Sequence, residues 1–323
     1  MTRRLLPVIA LFGLLLPAAA VRAAPDMAQF VALAGSILRV EAPRPSGGFA
    51  IGSAVTVGPE LVVTNCHVTR EARRISVVRG GVRWAAAAQA SDLARDLCLL
   101  HVPGLRSPAV AVGQAATLAI GQSVTALGYT GGVGIQNSLG EVQDLHPHDG
   151  GVVIQSSNFF NSGASGGGLF DDTGRLVGVL TFRLRGGDAH YYAAPAEWVS
   201  ELVDAARRGD LRAVLPLEQY PLPYWESAAP PRFLRAARLQ SEGRWRELEA
   251  LAAAWARQDP ADNEPWFLLG LALQQQGRDA EARPALECAR ALQPARQAAR
   301  TALAALQPPS STARAAGCGA HTS

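Results

Sequence analysis

Three short segments carry residue types that could do chemistry together: TNCHV at 64–68, DLCLL at 96–100 and GASGGGLF at 163–170. A serine hydroxyl at neutral pH is a poor nucleophile until a base takes its proton during attack. Ser165 is the candidate nucleophile and His67 the candidate base. The imidazole must be held in one tautomer and its imidazolium stabilised, and Asp96, which opens an apolar run, offers the carboxylate for that role. Asp92 is the competing acid, but it lies in a polar, loop-like stretch. Glycines around Ser165 let backbone N–H groups, those of Gly163 and Ser165, turn toward a developing oxyanion. These types spell acyl transfer through a covalent serine intermediate, which calls for no metal or organic cofactor.

Such residues must be carried by rigid elements. From about residue 30 to 205 the chain reads as short β-rich runs broken by glycine, among them GSAVTV, LVVTNC, DLCLLHV, QSVTALGY and RLVGVLTF. Runs of four to eight residues that alternate or are wholly apolar are half-buried or buried strands, so this part is all-β, a sandwich or barrel. A Pro-rich stretch, LPLEQYPLPYWESAAPP at 215–231, breaks regular structure and reads as a linker. From Arg232 onward the texture is Ala, Leu, Arg, Glu and Gln at helical spacing. The N-terminus, Arg3 and Arg4 followed by an apolar stretch from Leu5 to Ala20 and small residues up to Ala23, is expected to be a secretory signal peptide.

Composition narrows the function classes. The 30 basic residues against 27 acidic ones include Arg3, Arg4 and Arg22, so the chain after Ala23 is neutral and lacks the basic excess of a nucleic-acid or anionic-membrane binder. Every basic residue is arginine. A phosphate-binding loop of the GxxxxGK[ST] type, a Schiff-base lysine and a serine–lysine dyad are therefore excluded.

The His, Asp, Ser order is that of the chymotrypsin arrangement, and at these residues the sequence resembles trypsin-like serine peptidases, particularly the bacterial HtrA/Deg-like branch. The resemblance runs from about 35 to 203 and extends to GSAVTVGPELVVTNCHV, IGQSVTALGY, GRLVGVLTF and YYAAPAEWVSEL. It implies an all-β double β-barrel, a serine endopeptidase acting on proteins or peptides, and a supporting role for Thr181 beside the aspartate. It also places Phe159 at the base of a specificity pocket with Phe160, Phe182, Arg183 and His190 around it. No acid stands there, which points to small aliphatic residues, with His190 or Arg183 receiving an acidic side chain as the alternative. Ala164 and Gly168 depart from the family's usual Asn or Asp and Pro, and no segment resembles a PDZ domain.

The C-terminal helices instead follow the tetratricopeptide pattern, with Trp266-x-x-Leu269-Gly270-x-x-Leu273, Ala282-x-x-x-Leu286 and Pro294. Leu239, Gly243 and Pro260 form a degenerate copy 34 residues earlier. The expected organisation is a signal peptide at 1–23, a peptidase domain at 24–208, a linker at 209–231, a helical domain at 232–307 and a disordered tail at 308–323. Helices this few should dock on the β-domain or on a second copy, as a spacer or as a peptide-binding groove for a protein partner. The competing reading is a catalytically inactive, peptidase-like adaptor, against which the intact triad argues.

Asp144, His146, His148 and Asp149 cluster around a Pro and a Gly and read as a solvated turn rather than a metal site. If His67 and Asp96 share a hydrogen bond, their neighbours Cys66 and Cys98 also lie close, and export makes a disulfide between them the expectation. Cys288 reads as a buried packing thiol and Cys318 as free.

Overall fold

The computed structural model describes residues 27–184, 190–217 and 222–306. The signal-peptide segment, the tail and Cys318 lie outside these. After helix α1 (Met27–Ala34), seven strands build a first sheet: β1 (Ile37–Pro43), β2 (Phe49–Gly58), β3 (Leu61–Asn65), β4 (Ser76–Arg79), β5 (Val82–Ala85), β6 (Ala88–Asp92) and β7 (Leu97–His101). The one-turn helix α2 (Cys66–Thr69) interrupts them after β3. A second group follows: β8 (Ser123–Gly128), β9 (Gln136–His148), β10 (Gly151–Ser156), β11 (Gly168–Phe170), β12 (Leu176–Leu184) and β13 (His190–Pro195), then helix α3 (Ala196–Ala205). These six close into a barrel in the order β10-β13-β12-β11-β8-β9. With β14 (Arg212–Ala213) added at its edge, the first group is an eight-stranded sheet, β14-β6-β7-β3-β2-β1-β4-β5, that is not closed by hydrogen bonds, so the expected pair of barrels is one closed barrel and one open sheet.

β3 and β7 read as nearly unbroken apolar runs because they lie side by side inside the first sheet, buried on both faces. Their antiparallel register pairs Thr64 with Cys98 and Asn65 with Leu97. The C-terminal end of one strand and the N-terminal end of the other therefore meet at one edge of the core. In the barrel, the β12–β13 ladder slips between Leu180 and Phe182, which face Ala193 and Tyr192 in turn. Thr181 is the extra residue of this β-bulge, which frees its backbone and hydroxyl for other partners.

The stretch expected as a linker departs from that reading. Arg212–Ala213 is a strand, β14, paired with β6 at the sheet edge. Leu217 is buried against Cys66 and Cys98, and its N–H donates to the Arg70 carbonyl at 2.6 Å. Proline breaks helices here without preventing the chain from packing on the β-domain.

Five helices follow: α4 (Arg232–Ser241), α5 (Trp245–Gln258), α6 (Asn263–Gln275), α7 (Asp279–Leu292) and α8 (Gln297–Ala305), each packed on the next. The α4–α5 and α6–α7 pairs repeat one another in detail. The Arg244 N–H bonds to the Leu239 carbonyl as that of Arg278 does to Leu273, and Asp259 to Trp255 as Gln293 does to Ala289. Gly243 and Gly277 turn the chain with φ of 68° and 74°. Gly270 on α6 allows close approach to α7, since a Cβ there would lie 2.5 Å from Leu286. Among the described residues no helix is long and apolar enough to cross a membrane.

The helices dock on the closed barrel through buried charge. Asp144 and His146 are not in a solvated turn: both are buried in β9 and alternate onto one face of it. His146 Nδ1 lies 3.0 Å from Glu264 Oε2 of α6 and its ring stacks on Phe233 of α4 at 4.2 Å. Arg296 pairs with Asp144 at 2.6 Å. Burial opposes the imidazolium of His146, but Glu264, Asp144 and the hydrogen bonds outweigh it and push its pKa up to about 9. A folded-state pKa raised above the ordinary 6.5 contributes stability that is present below pH 6.5 and lost as pH rises through about 9. Urea unfolding between pH 6.5 and 10 should therefore show stability falling across that window. In His146→Gln the fall should be flattened.

Candidate active site

His67 stands on α2 directly after β3, and Asp96 occupies the turn that leads into β7. The β3–β7 register brings these two positions together. Asp96 takes a left-handed backbone, φ 59°, which Asp tolerates better than most residues. Its carboxyl group is buried at 1% exposure and gives both oxygens to one partner. Oδ1 accepts the His67 backbone N–H at 2.8 Å and Oδ2 lies 2.6 Å from His67 Nδ1. That second contact favours the tautomer with the proton on Nδ1, which leaves Nε2 able to accept a proton. The His67 side chain is 32% exposed, so Nε2 can meet a substrate. Burial opposes its protonation, but the charge and hydrogen bond of Asp96, with Glu226 adding to them, raise its pKa above 6.5.

The pair is braced on every side. Cys66 and Cys98 are disulfide-bonded with Cα atoms 4.9 Å apart, and the Cys66 N–H donates to the Asp96 carbonyl at 3.1 Å. Cys288, expected as a packing thiol, is buried and also disulfide-bonded. Asp92, the rival acid, accepts the Arg95 N–H and caps the turn. Arg95 reaches from that turn to Asp149 and Glu201 and lies over Trp198, tying the loop to the barrel side.

Ser165 sits in the loop between β10 and β11, and the first sheet holds that loop through one residue that sequence reasoning missed. Ser53 on β2 donates its N–H to the Ser165 carbonyl at 2.7 Å and its hydroxyl to the Gly163 carbonyl at 2.7 Å, while accepting the Tyr129 N–H at 2.8 Å. Gly163 and Gly166 are required by position: φ is 95° and 88°, and an added Cβ would lie 2.3 Å from the Tyr129 carbonyl or 2.0 Å from that of Ser53. Among the described residues, no backbone hydrogen bond takes the Gly163 or Ser165 N–H. The Ser165 hydroxyl donates to the Thr181 carbonyl at 3.3 Å.

Thr181 contributes differently from the expectation. Its hydroxyl donates to the Val179 carbonyl and accepts from Asn65 Nδ2 at 3.2 Å, and the same Asn65 amide donates to the Asp96 backbone carbonyl at 3.0 Å. The aspartate is thus supported through Asn65, a member of the TNCHV segment whose position between two strands gave no sign of this role. The specificity-pocket residues are divided between two faces. Phe159, 56% exposed, and Phe160 meet Tyr191 beside a cavity of about 110 Å³ next to Ala164, while Phe182 stacks on Tyr192. Arg183 is paired opposite Tyr191, and His190 is buried with Nδ1 2.9 Å from Gln155 Nε2. Tyr191 and Tyr192 point to opposite sides of one strand, so residues around them cannot share one pocket.

Asp144, His146 and Glu264 bring donor atoms within 4.8 Å of one another, a spacing a metal could use. Arg296 and the His146–Glu264 and His146–Gln155 contacts already engage those atoms in the docking described above. That donor set is an ion-pair network.

Residues 52–179 match the trypsin-like peptidase domain. Over these residues the chain is similar to trypsin-like peptidases. The chain is 27% identical over 191 residues to "Serine protease HTRA4" of Mus musculus, covering 55% of this chain and 38% of that protein. It is 30% identical over 176 residues to a "Probable periplasmic serine endoprotease DegP-like" of Chlamydia muridarum, covering 51% and 35%. The chain thus spans little more than a third of the length of these curated relatives. Among solved structures, "HtrA-type protease AlgW with tripeptide" superposes with a TM-score of 0.51 at 26% identity, over 56% of this chain and 63% of that one. The Rv3671c protease of M. tuberculosis in its active form has a TM-score of 0.51 at 24% identity, over 60% and 90%, and shares the fold.

The peptidase domain's geometry sets two measurable outcomes. The NMR titration of His67 in the free protein should have its midpoint above 6.5, lowered by Glu226→Gln and more by Asp96→Asn, since each removes negative charge that favours the imidazolium. Ser53→Ala leaves the buried Tyr129 N–H and Gly163 carbonyl without the hydroxyl, and should cost about 1–3 kcal/mol in urea unfolding.

Proposed function

We propose that this chain is an exported serine endopeptidase that hydrolyses protein or peptide substrates. The observation that carries the reading is the buried Asp96 carboxylate gripping both the backbone and Nδ1 of His67, on a trypsin-like peptidase domain whose Ser165 loop is tied to the same sheet. When substrate arrives, the Ser165 hydroxyl turns from the Thr181 carbonyl to His67 Nε2. Oγ attacks the scissile carbonyl carbon as Nε2 takes its proton, and the Gly163 and Ser165 N–H groups receive the negative oxygen. The C–N bond then breaks with that proton passing to the leaving amine. Water, deprotonated by the same nitrogen, cleaves the ester and restores the hydroxyl. Export is supported by the N-terminal sequence, by the disulfides and by relatives whose names call them periplasmic.

The helical domain is proposed as tetratricopeptide-like. Its 34-residue repetition of turns and hydrogen bonds, with a small residue at the tight α6–α7 contact, supports that reading. Its docking through Glu264 and Arg296 supports a buttress for the barrel, with any protein partner engaged on the remaining helical faces.

The purified mature protein should hydrolyse casein and be labelled on Ser165 by a fluorophosphonate, while Ser165→Ala should do neither. His67→Ala should lower kcat by roughly 10⁴- to 10⁶-fold with unchanged circular dichroism. Equal labelling of wild type and Ser165→Ala would remove the reading.

A further inference from the structure

Residues 222–227 of the segment between the two domains lie beside the His67–Asp96 pair. The Tyr224 N–H donates to the Ala94 carbonyl at 2.9 Å, two residues before Asp96. Together with Leu217 on the disulfide, this fastens the segment to the catalytic loop at two points. Trp225 follows Tyr224, and its ring meets His67 edge-on at 5.8 Å and 88°. The same ring stacks on Phe182 at 5.0 Å and 18°. Phe182 directly follows Thr181, whose carbonyl holds the Ser165 hydroxyl. One side chain of the interdomain segment therefore stands against both the base and the strand beside the nucleophile.

Building on the peptidase reading, we propose that Trp225 is a specificity-determining residue, forming a wall of the groove for the substrate side chain one position before the residue that bears the scissile carbonyl. With that carbonyl carbon at Ser165 Oγ and the leaving nitrogen at His67 Nε2, the next side chain of the acyl part comes within reach of the surface between His67 and Phe182. Trp225 spans that surface. Two stacked rings and an imidazole edge make it flat and apolar, which suits a compact apolar side chain and offers nothing to a charged one. Glu226, whose charge acts on His67, adds repulsion against an acidic side chain. The wall comes from outside the matched domain, which ends at residue 179, so a peptidase domain of the same kind without this segment would lack it.

The test uses the full mature chain and a fluorogenic peptide series varied only at that position, comparing Leu, Gly and Asp. Wild type should favour Leu over Gly by about tenfold or more in kcat/KM, with Asp poorest. In Trp225→Ala the Leu-to-Gly ratio should fall to about one or two, through loss on Leu, while Trp225→Phe, which keeps a ring on Phe182, should retain most of it. A ratio unchanged in Trp225→Ala, an absent preference in wild type, or a uniform rise in rate on all three peptides would overturn the assignment. A uniform rise would mean a blocking segment instead of a wall. If wild type showed no Ser165-dependent cleavage at all, the peptidase reading would fall and this assignment with it.

Discussion

A buried carboxylate needs its oxygens satisfied, and Asp96 has found both partners in a single residue. That requirement determines much of what surrounds it. The His67 backbone must lie beside the turn before β7, so β3 and β7 must be neighbours in one register. The left-handed turn at Asp96 must be held, and the Cys66 N–H, the Asn65 amide and the Arg95 clamp hold it. The disulfide then joins α2 to β7, next to the β3–β7 ladder that the hydrogen bonds have already aligned. Breaking the pair would leave an uncompensated charge in the core, so stability and chemistry draw on the same contacts.

The second half of the site is delivered by a different sheet, and two residues join the halves. Ser53 reaches from β2 to three backbone groups around the nucleophile loop. Thr181, expelled from the barrel ladder by a bulge, offers its carbonyl to Ser165 and its hydroxyl to Asn65. Each is a small polar side chain buried where two elements approach, and each ties one sheet to the loop or strand of the other.

The C-terminal part is joined to this assembly by buried charge and by aromatic contact. His146 and Asp144 from β9 meet Glu264 and Arg296 from the helices, a network whose members balance in sign. The intervening chain contributes β14, Leu217, Tyr224 and Trp225 to the β-domain. A division of the chain at Arg208 would cut through the packing around Asp96, so the packed β-unit extends past it.

The His67–Asp96 pairing was legible in the sequence because each residue sits in a local segment whose types only make sense together, and strand and helix periodicity were legible because burial imposes them residue by residue. The Cys66–Cys98 contact followed from adjacency to that pair. Other features depend on which strands become neighbours, and no local pattern records that. Asn65 and Ser53 look like ordinary strand residues until the partner strands arrive. Thr181 was expected beside the aspartate from the resemblance alone, and its route there through Asn65 exists only because the ladder slips beside it. Asp144 and His146 looked solvated because a Pro and a Gly lie nearby, yet the helical domain covers them. The proline-rich stretch reads as a linker from its composition, which does not record that Leu217 and Tyr224 pack on the β-domain. The sequence by itself determined the candidate residues and the kind of elements, through short-range propensity and burial; tertiary structure decided which side chains support and cover the site, because those contacts join residues from about 30 to more than 150 positions apart, a range over which loop closure is set by the whole fold.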